Sequence, residues 1–545
     1  MLTKLTPVED FWAAKNIWER TGFPLVGGND KEGSDFTGES LLGEVTLFSF
    51  FVIPAKAGIQ FLIKGVNYKV IFCFLFLISL VLPAHRLFAL EQMELTVEDA
   101  AAMVLNKNLS LKTESYKPGA AASDVLIYQG EFDPTVSIGI ASSYTKEPSS
   151  TSYDSSQSST SSYTSYLSGK LLTGTQYELS FENYRYWGNS SYLTFNPYYT
   201  SEVKLSITQP VLKGFGTSVQ STNINVYKNA FEIAKLTYDS TVVEKIAEAA
   251  KKYWDLASAM SNVEAANIGL KLANDTKKIV TAKIDVGLSA PVDIYTAEAE
   301  IARREGNLLD AEKALTDTEN ALKTLLNING KDVQLKPVSA PVKPVVPPHL
   351  DALVETALKH KQDYLSAKLE KQNRELLKKY YKNQMLPEID LTGSYGYIGL
   401  NENHGTALDK MKTGSDFAWQ IGLTVSLPIG NRKYKGYYNK ASYEKDQYEA
   451  KILELEQTTQ SSLRDALNAL IFAEKKIKTT EKTRLAAEKQ LEAEEGRFKA
   501  GLATLNDVLK FQSDYVTAIY QEKMAKNEYS KALIEIKRLQ GITPV

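Results

Sequence analysis

Apolar residues recur along this chain with two periods, and the switches between them mark its elements. From Thr135 to Ala141, the apolar Val136, Ile138 and Ile140 alternate with Ser137 and Gly139, the period of a strand with one apolar face. The alternation returns at Val203, Leu205 and Ile207, which lead to Pro210. It returns again at Ile389 and Leu391, which follow Pro387 and continue into Tyr395 and Tyr397. It is clearest at Trp419, Ile421, Leu423, Val425 and Leu427, with Gln420, Gly422, Thr424 and Ser426 facing the other way, up to Pro428. Residues 167–172 and 177–181 flank a Thr173-Gly174 turn and read as a further hairpin. The Ser/Thr/Tyr-rich tract 142–166 and the segment 400–416 read as loops.

Between the strands the period is helical. Thr96 is an N-cap with Glu98 and Asp99 in the first turn of a helix that runs toward Gly130 and stops before Asp133-Pro134. A second pattern, 218–285, predicts a helix about 100 Å long at about 1.5 Å per residue. Its seam steps by three and four through Ile246, Ala249, Tyr253 and Leu256 to Met260, Val263, Asn267 and Leu270, the spacing of coiled packing. A return helix follows from Pro291 to Asn327. The Pro-rich 336–349 then connects to a helix over 350–385, and after the Trp419 strand another long helix turns at Gly501 and returns to Gly541.

The two turns carry one signature. Asp285 to Ile294 reads D-V-G-L-S-A-P-V-D-I, and Lys499 to Val508 reads K-A-G-L-A-T-L-N-D-V. Gly287 matches Gly501, Leu288 matches Leu502 and Asp293 matches Asp507 at one constant offset (501 − 287 = 214). Each Gly sits where a helix must end with positive φ, and each Asp falls near the positive end of the next helix. Two helical hairpins with matching tips imply an internal duplication.

The repeated helix–strand–strand–helix plan with these tips resembles the TolC family of outer-membrane channel proteins, over roughly 95–542. The resemblance implies an α+β membrane protein whose duplicated halves form, as a homotrimer, a shared transmembrane β-barrel continued by a long periplasmic α-helical barrel. It implies residence in the outer membrane of a Gram-negative bacterium and the work of an exit duct for a tripartite efflux pump or type I secretion system. The partners so implied are a periplasmic adaptor and an inner-membrane pump or ABC exporter, with outer-membrane lipid around the barrel. The tips Gly287, Leu288, Gly501 and Leu502 would dock the adaptor, and Asp293 and Asp507 would line the periplasmic aperture. Lys510 stands where relatives can carry a second acid. Read from the residues alone, each Asp is a helix cap at about the third position, and Thr504 with Asp507 makes a loose capping box.

Prolines suit strand–helix corners, because they cannot donate to a ladder and disfavour helix in the residue before them. Pro134 and Pro387 precede strands, and Pro210 and Pro428 follow them. One chain offers four strands, or six if the 167–181 hairpin joins. A closed barrel takes about eight and open edges cannot face lipid, so several copies must share it; the resemblance makes the number three. Trp419, Ile421, Leu423 and Val425 would then face lipid and the polar side the lumen. A half-buried sheet in a soluble protein produces the same alternation. A periplasmic coiled-coil adaptor without a pore is the alternative function.

Composition narrows the chemistry. Lys and Arg number 63 against 65 Asp and Glu, so no global basic surface invites nucleic acid. The 30 tyrosines and the Ser/Thr clusters suit β structure at a membrane interface. No zinc-protease, hydrolase or P-loop motif is present, and His349, His360 and His404 lack metal-ligand spacing. No enzyme activity, cofactor or metal is expected. Lys69 and the apolar run 70–82 form a secretory signal, too short to span at about 20 residues. The expected organisation is an extension over 1–65 with translation starting near Val66, a signal over 66–89 cleaved after Ala89, a first repeat over 90–335, the connector 336–349 and a second repeat over 350–545. Cleavage would remove Cys73, the only cysteine.

Overall fold

The computed structural model describes residues 91–151, 153–328 and 333–545. The extension and signal expected over 1–89 lie outside the described residues.

Thr96 caps α1 (Val97–Lys107) reciprocally: its hydroxyl accepts from the Asp99 N–H, and the Asp99 carboxylate accepts from the Thr96 N–H. The helical period across 95–130 predicts one helix, but the structure divides it. Asn108 turns to extended backbone and caps α2 (Leu109–Gln129) by accepting from the Leu111 N–H. Its amide also donates to the buried Leu325 carbonyl, which fastens the break to the tertiary fold. The second half breaks likewise, α6 (Leu350–His360) ending at extended Lys361 before α7 (Gln362–Gln384). Lys361 follows Asn108 by the spacing that separates Pro387 from Pro134 (387 − 134 = 361 − 108 = 253). A two-stranded parallel sheet, β1 (Glu91–Leu95) with β6 (Val333–Pro337), ties the two halves' starts together. Runs of five residues carry too few alternations to reveal it.

Six strands form one antiparallel sheet: β2 (Thr135–Lys146), β3 (Gln157–Lys170), β4 (Gln176–Gly188), β5 (Tyr198–Pro210), β7 (Glu388–Asn401) and β8 (Phe417–Ser426). The tract 142–166 is therefore not a loop: most of it is the end of β2 and the body of β3. Thr and Tyr fit a pleated surface without aliphatic neighbours, and β2 and β4 supply ladder partners on both sides of β3. The segment 400–416 is not simply a loop either. It holds α8 (His404–Thr413), which buries Ala407 and Met411. Pro134 and Pro387 stand directly before β2 and β7, and Pro428 lies just beyond β8. Pro210 does not follow its strand but ends it, opposite Asp390, and the next donor, the Val211 N–H, bonds the Ile389 carbonyl. All four corners lie at one end of the sheet, where Thr135, Pro210, Glu388 and Ser426 sit.

From that end run the long helices. A single turn α3 (Thr217–Gln220) precedes α4 (Thr222–Asp285), which turns back as α5 (Asp293–Leu326). In the second half α9 (Arg432–Lys499) turns back as α10 (Leu505–Leu539). Far from the sheet the packing order is α5–α4–α10–α9; near it the order is α2–α4–α7–α9. The expected α4 seam is right for Ile246, Ala249, Tyr253 and Leu256, all buried, but then it drifts. Farther on, the buried positions are Ala265, Gly269, Ala273, Thr276 and Val280, while Asn267 is exposed. A helix of 3.6 residues per turn slides off a strict heptad by about 20° per repeat. The connector crosses this core, held by donors to two buried tyrosines: Ser339 N–H to the Tyr253 hydroxyl and Val345 N–H to the Tyr529 hydroxyl.

Candidate functional site

Two regions carry the geometry a function needs: the sheet's faces and the two hairpin tips. In antiparallel pairs, directly opposed residues point to the same side. The register therefore places Val136, Leu167, Leu179, Leu205, Tyr395 and Trp419 in one unbroken row across all six strands. The next row outward holds Ile138, Phe181, Val203, Tyr397 and Phe417. Along β8 the side chains of this face are exposed: Trp419 65%, Ile421 71%, Leu423 65% and Val425 59%. Exposed apolar rows this long are not tolerated on a water-facing surface. The opposite side carries Glu178, Glu182, Glu202 and Lys204, and Glu182 accepts from the Tyr166 and Tyr184 hydroxyls at 3.1 and 2.5 Å. Among the described residues β2 and β8 have ladder partners on one side only.

At the tips the two turns are built alike. Gly287 N–H donates to the Ile284 carbonyl at 2.9 Å, and Leu288 N–H reaches back to Lys283 at 2.7 Å. Gly501 N–H donates to the Phe498 carbonyl at 3.1 Å, and Leu502 N–H to Arg497 at 2.8 Å. This double bond pattern closes a helix only when the residue between takes the left-handed region; Gly287 and Gly501 sit at φ 74° and 78°. The pattern recurs where the return helices end, at Asn327 and Gly541, again 214 positions apart (541 − 327 = 214). Leu288 and Leu502 are 75% and 71% exposed, apolar tips that no other described residue covers.

The tips differ in how they hold their acids. Asp507 completes a full capping box with Thr504, and the Thr504 hydroxyl and backbone N–H hold its carboxyl below the usual carboxylate range. Asp293 is the first residue of α5, not the third, and accepts from the Ser289 hydroxyl at 2.5 Å. Pro291 and Val292 form an extra turn before it, which displaces it relative to Asp507. The tips pack together through Val280 and Ala297 of the first hairpin and Phe498, Leu505 and Val508 of the second. Lys283 joins them, its ammonium donating to the Phe498 carbonyl and lying 3.9 Å from that ring's centroid. No sequence motif marks Lys283, because its partner is 215 positions away.

One turn beyond the tips a groove of about 750 Å³ opens between α5 and α10, lined by Tyr295, Arg303, Asn506 and Lys510 among others. At its wall Glu300 is buried and takes hydrogen bonds from Arg303 and Arg304 at 2.6–2.7 Å. Burial alone would raise its pKa, but the two guanidinium groups outweigh that and hold it below the ordinary glutamate value. Among the described residues no cluster of His, Cys, Asp and Glu could hold a metal.

The sequence profile of the family described as "Outer membrane efflux protein" matches residues 102–328 and 353–541. The outer membrane protein TolC of Vibrio cholerae is 24% identical over 316 residues, covering 56% of this chain and 69% of that protein. Among solved structures, a membrane protein from Pseudomonas aeruginosa aligns with TM-score 0.61 at 16% identity over 82% of this chain and 93% of its own. The Campylobacter jejuni CmeC outer membrane channel aligns with TM-score 0.58 at 17% identity, over 82% and 85%. The profile spans both hairpins and the strands within each half, which leaves the adaptor alternative without support. The chain belongs to the outer membrane efflux proteins, the TolC-like channels of the Gram-negative outer membrane.

Proposed function

We propose that this protein is the exit duct of a tripartite efflux pump or type I secretion system: an internally duplicated chain that closes, as a trimer, around a water-filled pore. The observation that carries this reading is the coincidence of open edges. β2 and β8 end the sheet, and they adjoin the helices that end the helical layer next to it, α2 and α9. A membrane sheet with two unpaired edges must close on something, and identical copies joined edge to edge close both layers at once. Three copies of a six-stranded sheet would supply roughly eighteen strands, in the range that leaves an aqueous channel.

In this reading Trp419, Ile421, Leu423 and Val425 face lipid, and Glu178, Glu182 and Glu202 line the lumen. No step is catalysed; an inner-membrane pump or exporter supplies the energy through a periplasmic adaptor. The tips Gly287–Leu288 and Gly501–Leu502 dock the adaptor, and Asp293 and Asp507 stand at the aperture that docking opens. Light scattering of the purified mature protein in detergent, joined to planar-bilayer recording, tests the assembly. A trimer with stepwise ion conductance is the expected result. A folded, water-soluble monomer would overturn the barrel.

A further inference from the structure

The apolar side of the sheet carries two basic residues that the channel reading does not use, Lys146 at the very end of β2 and Arg185 within β4. The register sets Ser161, Arg185, Tyr199 and Asn401 in one row, an even number of steps from Phe181, Val203 and Tyr397 and so on the same side. Among the described residues Arg185 has no ion-pair partner, and its guanidinium makes no hydrogen bond. It lies four residues beyond Phe181, about 13 Å along the strand at ~3.3 Å per residue. That is the end of the sheet opposite the four proline corners.

The surroundings fit a membrane boundary. α8 lies on this same side: Gly399 has no side chain, and Ala407 and Met411 occupy the space one would need. Beneath it Ser201 is fully buried and donates to Asn183 at 2.7 Å. The Tyr199 ring meets His404 of α8 at 5.6 Å between centroids. One row farther out stand Tyr144 and Trp187, the residue types that gather at headgroup depth. At the other end of α8, Lys412 is exposed and only loosely paired with Asp409 at 3.9 Å.

An unpaired guanidinium facing acyl chains is costly, and the cost vanishes only where it reaches the interface. There the abundant counter-charge is phosphate, which a guanidinium binds through charge-assisted hydrogen bonds. We propose that Arg185 docks the phosphate of a lipid headgroup at the outer rim of the barrel, with the lipid's chains lying along the Phe181–Tyr397 row and Lys412 adding a second attraction. The proposal rests on the lipid-facing assignment of that row.

The test titrates the assembled, detergent-purified protein with a fluorescent bis-phosphorylated lipid A in mixed micelles. Arg185→Gln should weaken binding about tenfold, Lys412→Gln roughly fivefold, and Arg185→Lys should restore most of the loss. Dephosphorylated lipid A should bind wild type and Arg185→Gln alike. Equal affinity of Arg185→Gln and wild type for lipid A, with trimer yield unchanged, overturns the proposal. So does displacement of lipid A by inorganic phosphate at equal concentration, which would mark a free-phosphate site. Quenching by brominated-chain lipid that falls in Trp419→Phe, run on the same samples, separates two failures. Without that quenching the lipid-facing row itself is wrong; with it, a silent Arg185→Gln removes only the headgroup site.

Discussion

Lys283 on the first hairpin and Phe498 on the second are joined twice over: the ammonium donates to the phenylalanine's carbonyl and lies 3.9 Å from its ring centroid. The carbonyl belongs to the last turn of α9, at the negative end of the helix dipole, so backbone and ring attract the same cation. Lys283→Met keeps the stem and removes the charge. It should cost roughly 0.5–2 kcal/mol and raise the open probability of single channels in bilayers. A double-mutant cycle with Phe498→Leu should show coupling between the two; additive effects would mean that the contact does not hold the tips together.

Asp507 should prove to be cap and aperture residue at once. Its folded pKa is depressed, so the stabilisation it contributes is present above the unfolded carboxylate pKa and is lost as pH falls through the folded one. Asp507→Ala should melt below wild type at neutral pH, and the gap should close in acid. Conductance should rise and cation preference fall. A lowered melting temperature with unchanged conductance and selectivity would leave Asp507 as a cap alone.

The turn glycines predict a separation between folding and export. Nothing lies within 4 Å of a Cβ placed on Gly287 or Gly501, so strain at positive φ is the only local cost. Gly501→Ala should therefore cost about 1–2 kcal/mol without a clash. Gly501→Trp and Leu502→Glu should leave trimer yield intact while abolishing export in cells that carry the adaptor. Normal export by both would remove the docking assignment.

On the sheet, side rather than depth should decide tolerance. Leu423→Arg places a charge on the apolar side and should cost about 2–4 kcal/mol near the midplane, read as lost trimer on unboiled gels. Thr424→Arg, one residue on and facing the other way, should assemble normally. Equal damage from both would argue against a lumen on the polar side.

Glu300 offers a buried test. Its depressed pKa means its contribution holds above the unfolded glutamate pKa and fades as pH falls through the folded value. Glu300→Ala leaves Arg304, itself only 6% exposed, without its carboxylate. The loss should approach about 3 kcal/mol in thermal melts at neutral pH. A change near zero would show that water replaces the pair.

Local signals settled much of this protein. The alternation of β8, the N-cap at Thr96, the prolines before β2 and β7 and the paired turn glycines are all decided by a residue and its near neighbours, and periodicity and backbone sterics read them directly. Tertiary structure decided what depends on distant partners. β3 is a strand because β2 and β4 flank it, although its serines and threonines show no apolar face. The kinks at Asn108 and Lys361 interrupt continuous helical patterns, and at Asn108 the cause is a bond to Leu325. The lower seam of α4 follows the drift of a real helix against its neighbours rather than an ideal heptad. Lys283 found Phe498, and Arg185 joined the apolar side near α8, through contacts between distant segments. Sequence patterns register local periodicity, whereas these outcomes depend on which surfaces meet once the chain has folded.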